Sequence, residues 1–334
     1  MNLRRNICAP LAEAAFWPQR KKSMRVLSVV ALLALALACR GLRQFLVIVL
    51  THDRPDGLQR LLEGLSKADY TGAREVDIKI RIDRRTDGGV DGSVVSLAER
   101  LHWRHGRKLV HVTEANENIV GQWLNGTAGV LDEYERFIVI EDDIEVDSLY
   151  FQWLVASIRR YSDFARLAGI TLHRDHTNAV VDERKHSIGI PRRFPVYLYR
   201  HPSSWAMSPT PRVWREFLAW AHAAYARNGG ISPVAPGLES TYYYRSHIAE
   251  GRTQSMWSMW FIHYCHEHGL YTLYPNYPNK GGLAINNRMK GVHFDRKYNA
   301  PETMAELPFD ESRWYPAPGQ TPLVGWQGLI SGFV

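Results

Sequence analysis

The chain has 334 residues, of which 45% are hydrophobic and 22% charged, enough for a full globular core. Its formal net charge of +7 comes from the first 44 residues, which hold eight basic residues and one acidic residue. Residues 45–334 are therefore formally neutral. Because nucleic-acid-binding domains usually carry a basic stripe on the folded body, we expect no nucleic acid partner.

The N-terminus resembles a targeting or anchoring segment. A basic stretch precedes the uncharged apolar run 26–39. The run is shorter than the roughly 17–25 residues that span a bilayer and fits the roughly 7–15 of a signal-peptide core. Small residues at Ala36 and Ala38 suit cleavage, whereas the preceding Lys and Arg favour a type II signal anchor. An organelle transit sequence and a buried helix are further alternatives.

An anchor is the preferred interpretation, and both an anchor and a cleaved signal place the body in the secretory lumen. We therefore expect a membrane protein of the secretory pathway, in the Golgi, with a cytoplasmic N-terminus and a luminal body. Only Cys265 lies in that body, so it forms no internal disulfide.

The body begins with an alternation of strands and helices. The continuous apolar run Phe45–Leu50 predicts a strand buried on both faces. Pro55 then begins a helix whose leucines recur at helical spacing up to Leu65. Residues 76–82 alternate apolar and polar side chains, which predicts a half-exposed strand.

The same patterns continue along the chain. Further strands are predicted at 109–112, 137–140 and 168–172, and helices at 120–134, 211–227 and 255–268. Strands that alternate with helices indicate an α/β fold with a mostly parallel sheet and helices on both faces. The proline-containing segment 307–334 is predicted to be an irregular tail.

Polar side chains follow three of the predicted strands. They are Thr51–Arg54 after the first, Asp83 after the second, and Glu141, Asp142 and Asp143 after the fourth. Ligands of open α/β sheets bind outside the carboxyl ends of the strands. Three consecutive carboxylates repel one another unless a cation compensates, and a hard divalent ion would do so. The alternative is a solvated acidic turn before a helix.

Three blocks resemble the donor-binding half of a GT-A glycosyltransferase family. The segment 137–146 resembles the metal-binding segment of the N-acetylglucosaminyltransferase family that opens the complex branch of N-glycans. The segment 47–54 is similar to that family's first strand and nucleotide-facing turn, and 80–83 to its second strand. The resemblance implies a GT-A fold, which is Rossmann-like, and a UDP-sugar donor.

The resemblance also implies roles for single residues. Asp83 would read the base, and Asp143 would bind a divalent metal, Mn²⁺ or Mg²⁺, directly. Glu141 and Asp142 would contact ribose or metal-bound water. Thr51 and Arg54, in the nucleotide-facing turn, would also bind the nucleotide-sugar. His293 is the candidate for the histidine that many GT-A enzymes contribute to the metal; a structural histidine is the alternative.

The distal half matches the family less well. Trp257-Ser258-Met259-Trp260 stands where the family has a Trp-Asp-Asp-Trp segment that supplies the catalytic base. Because both acids are absent, the base is open, and Glu239 and Glu250 are candidates. A retaining reaction would need no such base.

These inferences combine into one hypothesis. We expect an N-terminal basic segment and anchor (1–44), a nucleotide-sugar-binding half (45–172), an acceptor-side half (173–306) and the tail (307–334). The function would be metal-dependent transfer of a hexosyl or N-acetylhexosaminyl group to a glycan or glycoprotein. The alternative is a non-catalytic glycan-binding or scaffolding relative. A dehalogenase-like phosphatase and a sugar-nucleotide pyrophosphorylase are disfavoured, since their motifs are absent.

Overall fold

The computed structural model describes residues 43–175, 178–181, 188–226, 232–252, 255–277, 281–287, 289, 304 and 311–334. Within these ranges no helix is long and apolar enough to cross a bilayer. The apolar run 26–39 lies outside the described residues, so the anchor and the luminal placement stay predictions.

The first half of the body alternates strands and helices, as its sequence predicts. Its strands are β1 (Arg43–Thr51), β2 (Val76–Ile82), β3 (Lys108–Val112), β4 (Tyr134–Glu141), β5 (Ile144–Val146) and β6 (Leu167–Thr171). Its helices are α1 (Pro55–Lys67), α2 (Gly92–Arg100), α3 (Asn118–Thr127), α4 (Val130–Glu133) and α5 (Tyr150–Tyr161). The single helix predicted over 120–134 is divided because Gly129 takes a φ of 73° between α3 and α4.

The second half has shorter strands between its helices. The strands are β7 (Val196–Tyr199), β8 (Met207–Pro209), β9 (Tyr271–Pro275), β10 (Ala284–Asn286), β11 (Pro322–Val324) and β12 (Ile330–Phe333). The helices are α6 (Pro211–Ala226), α7 (Glu239–Ala249) and α8 (Trp257–Glu267), and a 3₁₀ turn follows at Glu311–Arg313. The segment 307–334 is therefore not wholly irregular as predicted, because β11 pairs with both β7 and β12.

Ten strands form one sheet in the order β12-β11-β7-β9-β6-β8-β4-β1-β2-β3. The block β4-β1-β2-β3 is parallel throughout. Antiparallel pairs occur around β8, between β7 and β9, and between β11 and β12. β5 and β10 form a separate antiparallel pair. This order confirms the mostly parallel α/β class, and the division into donor and acceptor halves stays a prediction.

Helices cover both faces of the parallel block. On β1, Phe45, Val47 and Val49 belong to one apolar cluster, which includes the buried leucines of α1 and the aromatics of α5. The alternate side chains, from Leu46 to Leu50, belong to a second cluster with α3, α6 and α8. The continuous apolar sequence of β1 follows from burial on both faces.

β2 differs from its prediction as a half-exposed strand. Asp77 is fully buried and Arg81 is 5% exposed. Each has ionic partners: Asp77 binds Arg43 and Arg107, and Arg81 binds Glu117 at 2.8 Å. Buried charges are tolerated when they are paired and hydrogen-bonded, so the polar face of β2 can lie inside the protein.

Candidate active site

The carboxyl ends of β1, β2 and β4 bring the three predicted polar segments together. The backbone N–H of Asp83 donates to the Thr51 carbonyl at 2.9 Å. The backbone N–H of Asp142 donates to the Leu50 carbonyl at 3.0 Å. The turn after β1, Thr51–Arg54, therefore lies between Asp83 and the acidic turn, as expected for adjacent parallel strands.

Arg54 links the acidic side chains. Its Nη1 donates to Asp143 Oδ2 at 3.0 Å, and its Nη2 forms an ion pair with Asp142 Oδ1. Thr51 Oγ1 donates to Asp142 Oδ2 at 2.7 Å. The structure describes no hydrogen-bond partner for the buried Oδ1 of either carboxylate, but that of Asp142 has its ion pair with Arg54, whereas that of Asp143 has no described ionic partner.

Gly57 allows α1 to approach the acidic turn closely. A Cβ atom at this position would lie 2.4 Å from the backbone carbonyl oxygen of Asp142 and 2.7 Å from Met289 Sδ. A larger residue could displace the flexible Met289 side chain, but its contact with the Asp142 carbonyl would require a shift of the backbone. Gly57 therefore holds Arg54, three residues earlier, within reach of Asp142 and Asp143.

Burial and mutual repulsion alter the ionisation of this cluster. Burial, reinforced by Asp143 and opposed by Trp123 and Arg54, raises the pKa of Glu141 to about 8. Burial also raises the pKa of Asp142, although Arg54 and Thr51 oppose the shift. Burial would lower the pKa of Arg54, but attraction to Asp142, Asp143 and Glu141 outweighs it and raises the pKa. Among the residues that the structure describes, Arg54 is the cation paired with these acids, and it does not offset the burial of Glu141 and Asp142.

Glu141 connects the acidic turn to an aromatic wall. Trp123 Nε1 on α3 donates to Glu141 Oε1 at 3.2 Å. The Trp123 ring stacks on Trp257 of α8, with centroids 3.8 Å apart and planes inclined by 19°. Through this stack and the Trp123 hydrogen bond, α8 is linked to Glu141 in the acidic turn.

Asp83 is held rigidly with one oxygen available. Its Oδ1 accepts from the Glu117 backbone N–H at 2.9 Å and from Thr113 Oγ1 at 3.1 Å, and also from the Arg84 backbone N–H. Its Oδ2 has one long contact, 3.4 Å from Asn116 Nδ2. A carboxylate fixed in this way can accept a further hydrogen bond from a ligand N–H.

A cavity of about 630 Å³ lies over these residues. This volume is within the usual range for small-molecule sites, roughly 300–1,000 Å³. The polar and charged residues of its lining include Thr51, His52, Asp53, Arg54, Asp83, Asn116, Asn118, Gln122, Glu141, Asp143, Ser204, Arg252, Ser255, Ser258 and Asn286. Its apolar lining includes Trp205, Met256, Trp257 and Met289. The cavity therefore offers acids, other polar groups and aromatic side chains to a polar ligand.

Part of the acidic turn fits a divalent metal that is shared with a phosphate ligand. Among the residues that the structure describes, no three His, Cys, Asp or Glu side chains converge as a complete metal site. Mg²⁺-type sites, however, commonly use one or two carboxylates together with substrate phosphates. The unpartnered Oδ1 of Asp143, on the cavity wall, suits such a position. His293 lies outside the described residues, so its role stays a prediction.

The candidates for the catalytic base lie apart from the acidic turn. Neither Glu239 nor Glu250 is part of the cavity lining, although Glu250 binds Arg252, which is. Of the positions where the resembled family has acids, Ser258 lines the cavity and Met259 is fully buried in the core. At these two positions, then, only a hydroxyl faces the cavity.

Several lining residues were not predicted from the sequence. Gln122 and Arg252 lie on different parts of the chain and form no motif, and Trp205 is recognised in the sequence only as part of the Ser204-Trp205 segment, without a site role. Trp205 is half-buried and packs edge-on against His173, with centroids 4.4 Å apart. The residue after it, Ala206, has a positive φ of 49°, which is uncommon for a residue other than glycine. That backbone conformation is visible only in the structure.

Comparisons with known proteins identify no family for this chain. No protein-family model and no curated protein match it. Among solved structures, S. aureus TarS 1–349 overlaps with a TM-score of 0.36 and 16% identity, over 52% of this chain and 48% of that chain. The same TarS fragment in complex with UDP-GlcNAc overlaps with a TM-score of 0.36 and 14% identity, over 52% of this chain and 47% of that chain. The chain spans about half of that fragment, and so weak a likeness assigns it neither family nor ligand.

Proposed function

We propose that the protein is a glycosyltransferase that binds a UDP-sugar in the cavity at the carboxyl ends of β1, β2 and β4. The observation that carries the proposal is that, within the described ranges, the acids at the site outnumber the cations paired with them and lie beside an available acceptor. Asp143 has an oxygen without a described partner, and Asp83 has one nearly free oxygen. A nucleoside diphosphate with a divalent cation supplies both the missing charge and a base N–H.

The resemblance of the three sequence blocks to the GT-A donor half supports the same assignment. The structure places those blocks around one cavity, with Thr51 and Asp83 joined through the backbone. Asp83 would then accept from the base, and Glu141 would lie near the ribose. Transfer by an N-acetylglucosaminyltransferase-like enzyme is the finer form of this proposal.

Asp143 would hold the metal together with the donor diphosphate, and His293 is proposed as a second ligand. When bound, a divalent ion supplies positive charge to the departing diphosphate. The protein's own residues keep the site in position: Thr51 and Arg54 fix Asp142, and Trp123 orients Glu141. Trp205, a half-buried part of the cavity lining, offers an apolar face to a sugar ring, since aromatic faces suit the C–H side of a sugar.

Binding of UDP tests the donor assignment. Asp143→Asn should abolish Mn²⁺-dependent UDP binding, measured by calorimetry on the full chain, and leave the thermal midpoint nearly unchanged. Removal of one acid from a repelling cluster opens no cavity in the core. Asp163→Asn, which removes an exposed acid elsewhere, is the matched control. Equal UDP affinity in Asp143→Asn and the parent would reject the site.

The non-catalytic alternative rests on a specific observation, the absence of acids at Ser258 and Met259. UDP release from a panel of UDP-sugars, measured with and without a glycan acceptor, separates the two functions. An enzyme should release UDP faster with its acceptor. A binding protein should bind UDP-sugar or glycan and release no UDP above background.

A further inference from the structure

Gln122 is a buried side chain in the cavity wall whose orientation is fixed by its neighbour. It lies on α3 and is 3% exposed. Its Oε1 accepts from Arg81 Nε at 3.2 Å. Because a guanidinium group only donates, the amide oxygen must face Arg81 and the amide NH₂ must point away from it.

Arg81 cannot easily turn away from Gln122. Its Nη2 donates to Glu117 Oε2 at 2.8 Å, and the Arg81 side chain is 6% exposed. A Cβ atom at Gly126 would lie 2.8 Å from Arg81 Nε, so α3 packs directly on the guanidinium group. The amide of Gln122 is therefore held from one side by a clamped arginine.

The NH₂ group of Gln122 has no partner among the residues that the structure describes. Buried polar atoms nearly always have a hydrogen-bond partner, and exceptions call for an explanation. Since Gln122 lines the cavity, a ligand oxygen is the partner that fits this donor. A neutral amide donor suits a carbonyl oxygen.

Gln122 and Asp83 belong to one hydrogen-bonded network. Glu117 donates its backbone N–H to Asp83 Oδ1 and accepts from Arg81 with its side chain. Arg81 and Asp83 are two residues apart in the chain, and Arg81 in turn binds Gln122. The network thus holds an acceptor, Asp83 Oδ2, and a donor, Gln122 Nε2, on the same wall of the cavity.

We propose that Gln122 determines base specificity by donating to a ring carbonyl while Asp83 accepts from the neighbouring ring N–H. This inference rests on the proposed nucleotide function. The edge recognised would be N–H beside C=O, as in uracil; guanine also has such an edge. At this edge cytosine has an unprotonated nitrogen, which would face the Asp83 acceptor, and an amino group, which would face the Gln122 donor. Neither contact would be a hydrogen bond.

Base selectivity, rather than affinity alone, tests this role. Gln122→Glu keeps an acceptor for Arg81 but replaces the donor by a carboxylate. The parent should bind UDP at least about tenfold more tightly than CDP, since unpaired buried polar groups reject a mismatched ligand. In Gln122→Glu the preference should fall to about threefold or less. Gln59→Glu, an exposed change of the same kind on α1, should keep the parent's ratio.

The outcomes separate the two proposals. A parent that binds no nucleoside diphosphate overturns the proposed function, and this inference with it. A parent that prefers UDP, together with a Gln122→Glu variant that weakens UDP and CDP equally, overturns the role of Gln122 alone. A parent that prefers GDP over UDP supports the N–H/C=O edge and replaces the proposed donor.

A test on the unchanged protein removes any dependence on folding of the variant. The C4 carbonyl is the one that cytosine replaces by an amino group, and thiocarbonyl groups accept hydrogen bonds poorly, so 4-thio-UDP should bind the parent about fivefold or more weakly than UDP. Gln122→Met, which lacks the donor, should show no further loss with that analogue. Parent affinities equal for UDP and 4-thio-UDP would overturn the proposal.

Discussion

Buried carboxylates occur at both ends of the parallel block β4-β1-β2-β3, and their surroundings differ. Near the amino end of β2, Asp77 is fully buried and accepts from the Arg107 backbone at 2.6 Å and from Tyr134 at 2.8 Å, with Arg43 and Arg107 side chains beside it. Beyond the carboxyl end of β4, Asp142 and Asp143 share one cation, Arg54, in the part of the chain that the structure describes.

The two ends therefore titrate in opposite directions. Burial would raise the pKa of Asp77, but hydrogen bonds from Arg43, the Arg107 backbone, Tyr134 and Arg107 outweigh it and lower the pKa. At the other end, burial raises the pKa of Glu141 and Asp142. A saturated carboxylate with a lowered pKa stabilises the fold, whereas carboxylates short of charge beside a cavity indicate a ligand site.

The largest effect is expected from substitution of Asp77, the carboxylate whose hydrogen bonds are saturated. Asp77→Asn should lower the free energy of unfolding by about 3 kcal/mol, because two arginines and a tyrosine lose their common acceptor. UDP affinity of the folded protein should not change. Urea unfolding with an unchanged slope is the measurement, and Asp163→Asn is the control. A loss below about 1 kcal/mol would show that the cluster contributes little.

A smaller effect is expected from removal of the cation at the other end. Arg54→Gln should lower metal-free stability by about 1–2 kcal/mol, since Asp142 and Asp143 lose their counter-charge in a partly exposed site. Mn²⁺ should then raise the thermal midpoint more in the variant than in the parent, because it replaces the lost charge. Arg60→Gln on the same helix removes an exposed ion pair with Glu145 and a contact with Met289 Sδ but no partner of Asp142 or Asp143, and serves as control. If Mn²⁺ raised the thermal midpoint equally in Arg54→Gln and the parent, the metal and Arg54 would not neutralise the same acids.

A fall in pH should reduce the contribution of Asp77 to stability, with a smaller effect than the two substitutions above. A lowered folded pKa gives stability that is fully present above the unfolded carboxyl pKa, about 3.9, and lost as pH falls through the folded value. The stability difference between the parent and Asp77→Asn should therefore be constant from pH 5 upward and shrink below about pH 4. Urea midpoints at pH 3 and pH 6 measure it. A difference that stays constant down to pH 3 would contradict the assignment.

The sequence was most informative where burial is simple. The continuous apolar run 45–50 and the leucine spacing of α1 predicted their elements because each residue's own character decides its face. The polar residues after β1, β2 and β4 could be placed at one edge from topology alone. These local patterns were sufficient for the sheet's parallel block and for the acidic turn.

The sequence was least informative where a residue depends on a distant partner. The sequence predicted a half-exposed β2 because the partners of its charged residues are distant in the chain. Arg107, which binds Asp77, is 30 residues away from it, and Gln122, which accepts from Arg81, is 41 residues away. β11 and β12 are strands only because β7 provides an edge for β11. The role of Arg54 between Asp142 and Asp143 likewise requires the close approach that Gly57 allows.

The smallest expected effect concerns Glu250, one of the two base candidates. Hydrogen bonds from Arg252 and Ser246 lower the pKa of this exposed carboxylate, and a base with a lowered pKa accepts a proton less readily. Its position suggests that it holds Arg252, a cavity residue, with Nε donating at 2.9 Å. Glu250→Gln should therefore reduce kcat by no more than about threefold and raise KM modestly, whereas loss of a true base costs about 100-fold or more. Kinetics at saturating UDP-sugar and varied acceptor concentration measure kcat and KM. Glu239→Gln provides the parallel test of the other candidate. A 100-fold loss of kcat in Glu250→Gln, with the acid limb of the pH–rate profile removed, would assign the base to Glu250 after all.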